Sequence, residues 1–567
     1  MAEKKSGSGE ISRSEIPRSE IPRSADVVIV GAGMAGLYCA YRLLTQDANR
    51  SVVLFDRLDR VGGRLDTDLV KIKDEDGKVV AVKDEEGGMR FNQSMQQLFA
   101  LLDDLGLSGQ VVPFGMGDDN NYYHVRGRSF TVAESEQNNN AIWSQLYSLL
   151  PNERNKSPVD IITAVYHDIL AQNGKQAPAN PTPEFWQEFR LDYKYNGTPL
   201  NEWGLWALMR TFGLSQECIS MLADTVGFAA PFFSLVSAGE AYQILEDFPA
   251  QPEYSTLEDG YSTLPRTLTE KIEAKNGSIH LSSLVTKIDS EDGRFTVDVQ
   301  RGGRHHSVSC SKVILALPAL ALNNLYAASP ALNEAKNPKA RELYDNLQSV
   351  VSMRLSKVNL YYDQAWWRDG IEGGRPAIKD GGSFTSLPLG AVYVFDPLKD
   401  ESANGPAALT IYSDFNNTHF WEELQAIGPK FTSPLQEEHD HDRPQVMFPA
   451  SEAIVGEATS LLKILFQMLS IPRPVLTSYR MWSGEHQFGY AYHQWARFAD
   501  DRKVMPQLAN PVDNVFICNE AYSDDQGWVN GSLRSADLAL AHLGIEPLHI
   551  PVAPPAGQKP VQLRRVG

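Results

Sequence analysis

The sequence has few cysteines and no long hydrophobic run. Its 567 residues include four cysteines, far apart and without C-x-x-C spacing, so we predict buried free thiols rather than a disulfide framework. No stretch reaches the roughly 18 consecutive apolar residues that a membrane-spanning helix needs. The first 24 residues contain only five apolar side chains, too few for a secretory signal peptide, and we expect a cytoplasmic protein.

Basic residues are also in the minority. Lys and Arg number 52 against 71 Asp and Glu, for a net charge of −19. Phosphate backbones and anionic lipid surfaces would on average repel such a protein, so we expect neither nucleic acid nor a membrane as a partner. His439 and His441 lie among acids between Pro434 and Pro444, which favours a solvated loop over metal ligands, and no metal site is predicted.

A strand–helix–strand pattern opens the ordered part of the sequence. The β-branched run Val27–Val30 predicts a buried parallel strand. An amphipathic helix follows to about Leu44, and Val52–Phe55 predicts a second strand. The region 116–245 has mostly helical patterns, and strand-like runs return at 281–317 and 350–412. The overall pattern is that of an α/β protein of about two to four domains.

The predicted first strand leads directly into residues 31–36, Gly-Ala-Gly-Met-Ala-Gly, a G-x-G-x-x-G motif. Gly31 permits a tight turn, Gly33 lets the backbone approach a pyrophosphate, and Gly36 allows close helix–strand packing. The helix N-terminus offers N–H groups to phosphates. Asp56, 20 residues after Gly36, lies where a carboxylate binds ribose hydroxyls and disfavours a 2′-phosphate. The pattern predicts a dinucleotide site of the Rossmann type and argues against NADP.

A second motif follows Asp56 by six residues, where Gly62-Gly63-Arg64 ends the element 59–64. The paired glycines would let the main chain pass close to a flavin ring, and the arginine could complete phosphate neutralisation. Residues 60–64 resemble the R-x-G-G-R element of the flavin-containing amine oxidase superfamily, which simple NAD dehydrogenases lack. Leu58 departs from the pattern, since many relatives have an arginine there. The resemblance implies FAD as the cofactor.

The C-terminal part of the sequence resembles the same superfamily. Residues 514–520 resemble its final strand, with Asn519 in place of the usual glycine, and Glu520 would bind the ribityl or pyrophosphate part of FAD. Residues 527–532 resemble the Gly-aromatic-x-x-Gly start of its last helix, whose N–H groups would face the flavin ring. No cysteine occurs in 477–495, where some amine oxidases attach the flavin, so the FAD is expected to be non-covalent.

The resemblance implies an α/β flavoprotein of two to three domains, with a Rossmann-like FAD-binding domain, a mixed-sheet substrate domain and a helical insertion. The predicted segments are a disordered tail (1–24), a discontinuous FAD-binding domain (25–95, 246–330 and 477–545), a substrate-binding domain (96–115 and 331–476), a helical domain (116–245) and a C-terminal tail (546–567). The implied cofactor-binding residues are Gly31, Gly33, Met34, Ala35, Gly36, Asp56, Arg57, Gly63, Arg64, Gly88, Met89, Arg90, Val285, Glu520, Gly527, Trp528 and Val529, with Val285 contacting the adenine through its backbone.

Lys357 is a catalytic candidate. It lies in a strand-like run that is followed by Trp366-Trp367, and it resembles the superfamily lysine that hydrogen-bonds a water beneath flavin N5. The alternative is a surface lysine whose aliphatic stem packs along the protein.

The segment Glu86–Phe91 resembles the G-x-M-R element of L-amino-acid oxidases, in which the arginine holds the α-carboxylate of the substrate. A guanidinium can bind a carboxylate through two parallel hydrogen bonds, and in a dry pocket this contact orients and selects the substrate. Arg90 is therefore a substrate-binding and catalytic candidate. A structural ion pair with Glu85 or Glu86 is the alternative.

Three further residues complete the predicted substrate site. Trp528 would form a wall of the substrate cage as a catalytic and binding residue, with the carbonyl of Gly527 accepting a hydrogen bond from the α-amino group; an ordinary core tryptophan is the alternative. Tyr393 would add a second hydrogen bond to the carboxylate. The segment 482–492, with Glu485 and His486, is expected to face the active site, although its aromatic content equally fits a domain seam.

The resemblance is nearest to bacterial and fungal L-amino-acid oxidases. It implies hydride transfer from Cα of an L-amino acid to flavin N5, hydrolysis of the imino acid to a 2-oxo acid and ammonia, and reoxidation by O₂ to give H₂O₂. An L-amino-acid 2-monooxygenase, which forms an amide, would share these residues. An amine or polyamine oxidase and a non-catalytic FAD-dependent partner protein are further alternatives. A homodimer or larger homo-oligomer is expected from the family.

Overall fold

The computed structural model describes residues 20–549, apart from 75, 118, 179–180, 228–230, 248–253, 334–340, 369–377, 395–404, 434–447 and 485–488. The acidic histidine segment 437–442 and residues 1–19 and 550–567 of the two predicted tails lie outside the described residues. Ile21 is buried in the core and Ser24 begins the first strand, so regular structure starts slightly before the predicted end of the N-terminal tail. Among the described helices, none is both long and apolar enough to cross a bilayer.

The strands are, in chain order, β1 (Ser24–Val30), β2 (Val52–Phe55), β3 (Thr67–Lys73), β4 (Val79–Glu85), β5 (Phe91–Asn92), β6 (Val111–Phe114), β7 (Tyr122–Val125), β8 (Arg128–Thr131), β9 (Lys194–Tyr195), β10 (Thr198–Pro199), β11 (Tyr254–Leu257), β12 (Ser278–His280), β13 (Ser283–Glu291), β14 (Arg294–Arg301), β15 (Arg304–Leu315), β16 (Val350–Met353), β17 (Leu355–Tyr362), β18 (Gly381–Thr385), β19 (Ala391–Val394), β20 (Ala407–Asp414), β21 (Leu476–Trp482), β22 (Tyr492–Trp495) and β23 (Val515–Ile517).

The helices are α1 (Met34–Gln46), α2 (Gln96–Asp104), α3 (Val132–Leu146), α4 (Pro158–Gln172), α5 (Pro183–Leu191), α6 (Leu205–Phe212), α7 (Gln216–Thr225), α8 (Ala238–Asp247), α9 (Thr263–Glu273), α10 (Ala319–Ala328), α11 (Arg341–Leu347), α12 (Phe415–Ala426), α13 (Glu452–Phe466), α14 (Asp501–Ala509) and α15 (Val529–Ala541).

The first large sheet contains the predicted nucleotide-binding unit. Its strand order is β12-β2-β1-β15-β14-β13, with β23 also pairing with β15. The strands β12, β2, β1, β15 and β23 run parallel, whereas β13, β14 and β15 form an antiparallel meander. Val27–Val30 and Val52–Phe55 are entirely buried, because helices or the meander cover both faces of the parallel strands. The predicted α/β fold with a Rossmann-like unit is confirmed.

The second large sheet has the order β21-β17-β20-β19-β18-β7-β8 and carries the candidate lysine. Every residue of β17 is buried. Three of its strands differ from the sequence expectation: β7 and β8 come from the region with helical patterns, and β21 begins at the boundary where the FAD-binding domain was predicted to resume. The strands β7 and β8 have four residues each, too short for period-2 alternation to show against the flanking helical pattern.

The helices α3–α8 form a separate apolar layer on this second sheet. Their core includes Tyr242 and Trp186, and it is continuous with Leu355 and Tyr393 of the second sheet and with Met353 of β16. The glycine motif follows the carboxyl end of β1 and Glu520 follows that of β23, whereas Lys357 and Tyr393 lie on the second sheet.

Candidate active site

The glycine motif lies at the carboxyl end of β1, immediately before α1. A Cβ on Gly31, where φ is +106°, would lie 2.3 Å from the oxygen of Ala316, and a Cβ on Gly36 would lie 1.9 Å from the oxygen of Gly31. These two glycines are required by the turn itself. A Cβ on Gly33, in contrast, would meet nothing within 4 Å, so open space lies in front of the residue predicted to approach a pyrophosphate.

Asp56 follows β2 and is tied to the glycine turn. Its Oδ2 accepts a hydrogen bond from the N–H of Ala32 at 2.7 Å, and its Oδ1 accepts one from Leu58 at 2.8 Å. Burial raises the pKa of Asp56, while these backbone hydrogen bonds lower it. The N–H of Ser283 donates to the Asp56 carbonyl at 2.7 Å, which brings β13, and with it Val285, next to this end of the site. Arg57 is exposed beside it.

The double-glycine loop lies against the glycine turn. Gly62 forms a bridge with Gly33, and a Cβ on Gly63, where φ is +59°, would lie 3.4 Å from the Gly33 Cα. The N–H of Gly88 donates to the carbonyl of Arg64 at 2.9 Å. This bond places the segment Gly88-Met89-Arg90 directly behind the loop, as expected if both segments contact one cofactor.

Glu520 joins three segments of the site. Its Oε2 lies 2.5 Å from Arg64 Nη1 and 3.0 Å from His493 Nδ1, and its Oε1 accepts hydrogen bonds from the main-chain N–H groups of His493 at 2.9 Å and Gly527 at 2.8 Å. Burial would raise the pKa of Glu520, but the charge of Arg64 and the contacts with His493, including a side-chain and a main-chain hydrogen bond, hold it well below its usual range. The residue is therefore a buried, charged anchor beside the cofactor segments.

The helix α15 presents its N-terminus to the same region. Trp528 is the N-cap residue and supplies no side-chain cap, and the N-cap Gly33 of α1 likewise supplies none. The first-turn N–H groups of an α-helix have no partner within the helix and carry partial positive charge. Two helix N-termini, of α1 and of α15 beginning at Val529, thus favour a ligand with negative charge at two separate points, which fits the pyrophosphate and the reduced ring of a flavin dinucleotide.

Arg90 is buried and surrounded by aromatic rings. It directly precedes β5, which pairs with β11, which in turn pairs with β6. This register sets Tyr254 of β11 opposite Phe114 of β6. The Arg90 guanidinium carbon lies 5.2 Å from the ring centre of Tyr254, 5.8 Å from that of Phe114 and 5.9 Å from that of Trp528. Trp528 stacks on Tyr254 at 6.1 Å, so the arginine and the predicted cage tryptophan belong to one cluster.

The alternative partners predicted for Arg90 face other groups. The carboxylate of Glu85 accepts hydrogen bonds from Thr67 Oγ1 at 2.7 Å and the N–H of Tyr261 at 2.9 Å. Glu86 accepts one from Asn359 Nδ2 at 3.0 Å, and its Oε2 lies 3.6 Å from Arg480 Nε. Glu85 is therefore engaged by β3 and the chain before α9, and Glu86 by β17 and β21 of the second sheet.

Lys357 is buried, not a surface lysine. Its Nζ donates to the carbonyls of Glu85 at 2.6 Å and Gly87 at 2.7 Å, and lies 5.1 Å from the ring centre of Tyr412, its cross-strand neighbour on β20. Burial lowers the pKa of Lys357, against the opposing charges of the nearby acids. The amine thus fixes the main chain of the segment that leads to Arg90.

Tyr393 lies on β19, next to β20, with its ring 6.2 Å from Tyr412. Burial raises the pKa of Tyr393, and the charge of Arg90 lowers it, so the phenol lies within the electrostatic reach of the guanidinium. Sequence reasoning did not identify Tyr254, Phe114 or Tyr412, because only long-range strand pairing brings them here. Residues 485–488 of the segment 482–492, including Glu485 and His486, lie outside the described residues.

Buried carboxylates on β4 give a testable pH dependence. Asp84 is 2% exposed, and its Oδ2 has no hydrogen-bond partner among the described residues. Burial, with a smaller contribution from Glu86, raises the pKa of Asp84 to about 7, and burial raises that of Glu85 to about 8. In the unfolded chain both groups ionise near pH 4, about their ordinary value. The unfolded state therefore loses these protons first, and stability falls as pH rises from about 4 to about 8.

We expect Asp84→Asn, which imitates the protonated carboxyl, to flatten this dependence. The variant should match the wild type near pH 4 and exceed its free energy of unfolding above pH 7 by about 2–4 kcal/mol. Denaturation midpoints of the apoprotein between pH 4 and pH 9 measure the difference, with Asp259→Asn at an exposed position as the control. Parallel curves for Asp84→Asn and the wild type would contradict the assignment.

Residues 34–539 match the flavin containing amine oxidoreductase family. Achacin from Lissachatina fulica is 27% identical over 91% of this chain and 92% of its own length. An L-amino-acid oxidase from Demansia vestigiata is 22% identical over 90% of this chain and 84% of its own. The structure of putrescine oxidase bound to putrescine covers 92% of this chain and 99% of its own, with a TM-score of 0.63 at 19% identity. With a family match across most of its length, the chain belongs to the flavin-containing amine oxidoreductase family, and FAD is its cofactor.

Proposed function

We propose that this chain is an L-amino-acid oxidase that converts an L-amino acid and O₂ to a 2-oxo acid, ammonia and H₂O₂. The observation that carries the proposal is Arg90, a buried guanidinium inside a cluster of aromatic rings. A guanidinium can bind a substrate carboxylate through two parallel hydrogen bonds, whereas a simple amine has no group that could form them. Relatives named L-amino-acid oxidases support the same choice.

Each predicted residue has a defined task in this reaction. Arg90 binds and orients the α-carboxylate, Trp528 and Tyr254 close the sides of the cage and exclude water, and the Gly527 carbonyl receives the α-amino group. Tyr393 supplies a second hydrogen bond to the carboxylate. The α-amino group must be neutral, since an ammonium cannot form an imine by losing a hydride. FAD, held non-covalently by the Gly31–Gly36 turn and the Arg64 and Glu520 segments, would supply the hydride acceptor and the transfer of electrons to O₂.

Lys357 and Glu520 act on the framework of the site. Lys357 holds the carbonyls of Glu85 and Gly87 and so fixes the backbone that positions Arg90. Glu520 holds Arg64 and the N–H of Gly527, which sets the turn whose carbonyl is proposed to receive the amine. Positioning of this kind converts binding energy into rate, because small displacements of the reacting groups are costly.

The experiment that tests the proposal is a substrate panel on the purified holoenzyme. L-amino acids, their D-enantiomers and the corresponding decarboxylated amines are compared for H₂O₂, 2-oxo acid and ammonia. We expect peroxide and 2-oxo acid in equal amounts from L-forms, and values of kcat/KM for the amines lower by at least about 10²-fold, because an amine lacks the carboxylate whose charge-assisted hydrogen bonds to Arg90 would orient it. Rapid turnover of the amines would replace the proposal with an amine oxidase. An amide and CO₂ with little peroxide would replace it with an L-amino-acid 2-monooxygenase.

A further inference from the structure

His493 is a buried residue of the site to which no sequence motif assigns a role. It lies on β22 opposite Ser352 of β16 and is completely buried. Its main-chain N–H and its ring Nδ1 contact the two different oxygens of Glu520, at 2.9 and 3.0 Å. Because a carboxylate can only accept, Nδ1 carries the ring proton in this contact. One residue therefore fixes the plane of the whole Glu520 carboxylate.

The other partners of Glu520 belong to the cofactor segments. Arg64 follows the double-glycine loop that lies against Gly33, and Gly527 forms the turn before α15. The Arg64 side chain is 27% exposed whereas that of Glu520 is 4% exposed. Glu520 thus stands behind Arg64, and its orientation sets where both the guanidinium and the Gly527 turn are held. Charge-assisted hydrogen bonds of this type are strong and directional.

We propose that His493 is a positioning residue for FAD, which holds both oxygens of Glu520 so that Arg64 and the Gly527 turn stand ready to receive the cofactor. The ring acts through its Nδ1–H, and Nε2, which has no hydrogen-bond partner in the part of the chain described, is not required. Without the Nδ1 donor, Oε1 keeps its two main-chain N–H donors, but Oε2 loses the buried partner that holds it towards Arg64. The carboxylate can then turn away from the guanidinium, and the Arg64 segment is no longer tightly tied to the Gly527 turn. This inference concerns cofactor binding and is independent of which amine is oxidised.

Two polar substitutions distinguish the roles of the two ring nitrogens of His493. His493→Asn places an amide N–H near the position of Nδ1, and His493→Gln places one near Nε2. Apoprotein is titrated with FAD, and the dissociation constant is read from the quenching of flavin fluorescence. We expect His493→Asn to bind FAD within about threefold of the wild type and His493→Gln to bind at least about tenfold more weakly, since it lacks a charge-assisted bond. The opposite order would assign a direct role to Nε2 and overturn the proposal.

The dependence on Glu520 is tested by a double-mutant cycle. In a Glu520→Gln background, His493→Gln is expected to change FAD affinity by less than about threefold, because the residue acts through that carboxylate. If the two substitutions weaken FAD binding independently, so that their free-energy effects add in full, the proposal is overturned. His305→Gln, the same change at an exposed histidine of β15, is the matched control.

A purely structural role predicts a different result. His493→Gln would then lower the denaturation midpoint of the apoprotein while the folded fraction bound FAD normally, and this outcome would also overturn the proposal. If His493→Gln does not fold, His493→Asn alone tests the proposal. A tenfold or greater loss of FAD affinity in His493→Asn would contradict a role for the Nδ1 donor.

Discussion

Arg90→Gln is expected to lower kcat/KM for L-amino acids by about 10³-fold, with FAD content unchanged. Truncating one member of a buried charge pair costs about 3–5 kcal/mol, since the other charge then has no partner in the dry site. The loss should appear in the rate of flavin reduction as well as in substrate affinity, because the arginine orients Cα as well as binding the carboxylate. Stopped-flow measurement of the reductive half-reaction under anaerobic conditions gives both quantities.

Two controls distinguish carboxylate recognition from packing. Arg90→Lys keeps the charge without the planar fork, and it should recover at most about tenfold of the loss. The decarboxylated amine has no carboxylate for the Arg90 guanidinium to bind. Arg90→Gln should therefore leave the slow turnover of the amine unchanged or raise it. Equal losses for amino acid and amine would show that Arg90 only supports the ring cluster. Arg304→Gln, at the exposed first residue of β15, controls for the loss of a positive charge.

The nucleotide half of the site could be predicted because its signals are local. The turn at Gly31, the carboxylate of Asp56 and the loop ending at Arg64 lie within 34 residues of one another, and each glycine has a single steric reason. The parallel strands were equally visible, since strands covered on both faces have uninterrupted apolar sequences. In this part of the chain, local pattern and tertiary structure agree.

The substrate half was less visible because it is assembled by distant strand pairing. Tyr254 reaches Arg90 only through the register of β11 with β5, and no local pattern distinguishes this tyrosine from any other. The acids in and next to β3 and β4 show a second limit of the sequence, because their local pattern does not reveal that they are buried. Their sequence is typical of an exposed hairpin, yet Asp68, Asp84 and, just after β4, Glu86 are buried. Asp84 accepts a hydrogen bond from Thr410 of β20, and Glu86 accepts one from Asn359 of β17. Their burial is compatible with folding because Arg480, Asn359 and proton uptake offset the charge.

The glycine turn provides the second large expected effect, because its glycines are required for different reasons. Gly33 has φ −77° and ψ −176°, which alanine adopts without strain, and a Cβ there meets no atom within 4 Å. Gly33→Ala should therefore leave the apoprotein stable. If the open space receives the pyrophosphate, the added methyl should weaken FAD binding by about 10–100-fold, the range expected for overpacking a close contact.

Gly36→Ala is the matched comparison within the same motif. Its Cβ would lie 1.9 Å from the main-chain oxygen of Gly31, and a backbone atom in a tight turn cannot move aside as a side chain can. We expect it to destabilise the apoprotein by at least about 3 kcal/mol, whether or not FAD is present. Apoprotein denaturation midpoints and FAD titrations of both variants therefore separate a glycine that the fold requires from one that the cofactor requires. Normal FAD affinity in folded Gly33→Ala would mean that the pyrophosphate does not approach this turn, and the cofactor position inferred from both helix N-termini would have to be abandoned.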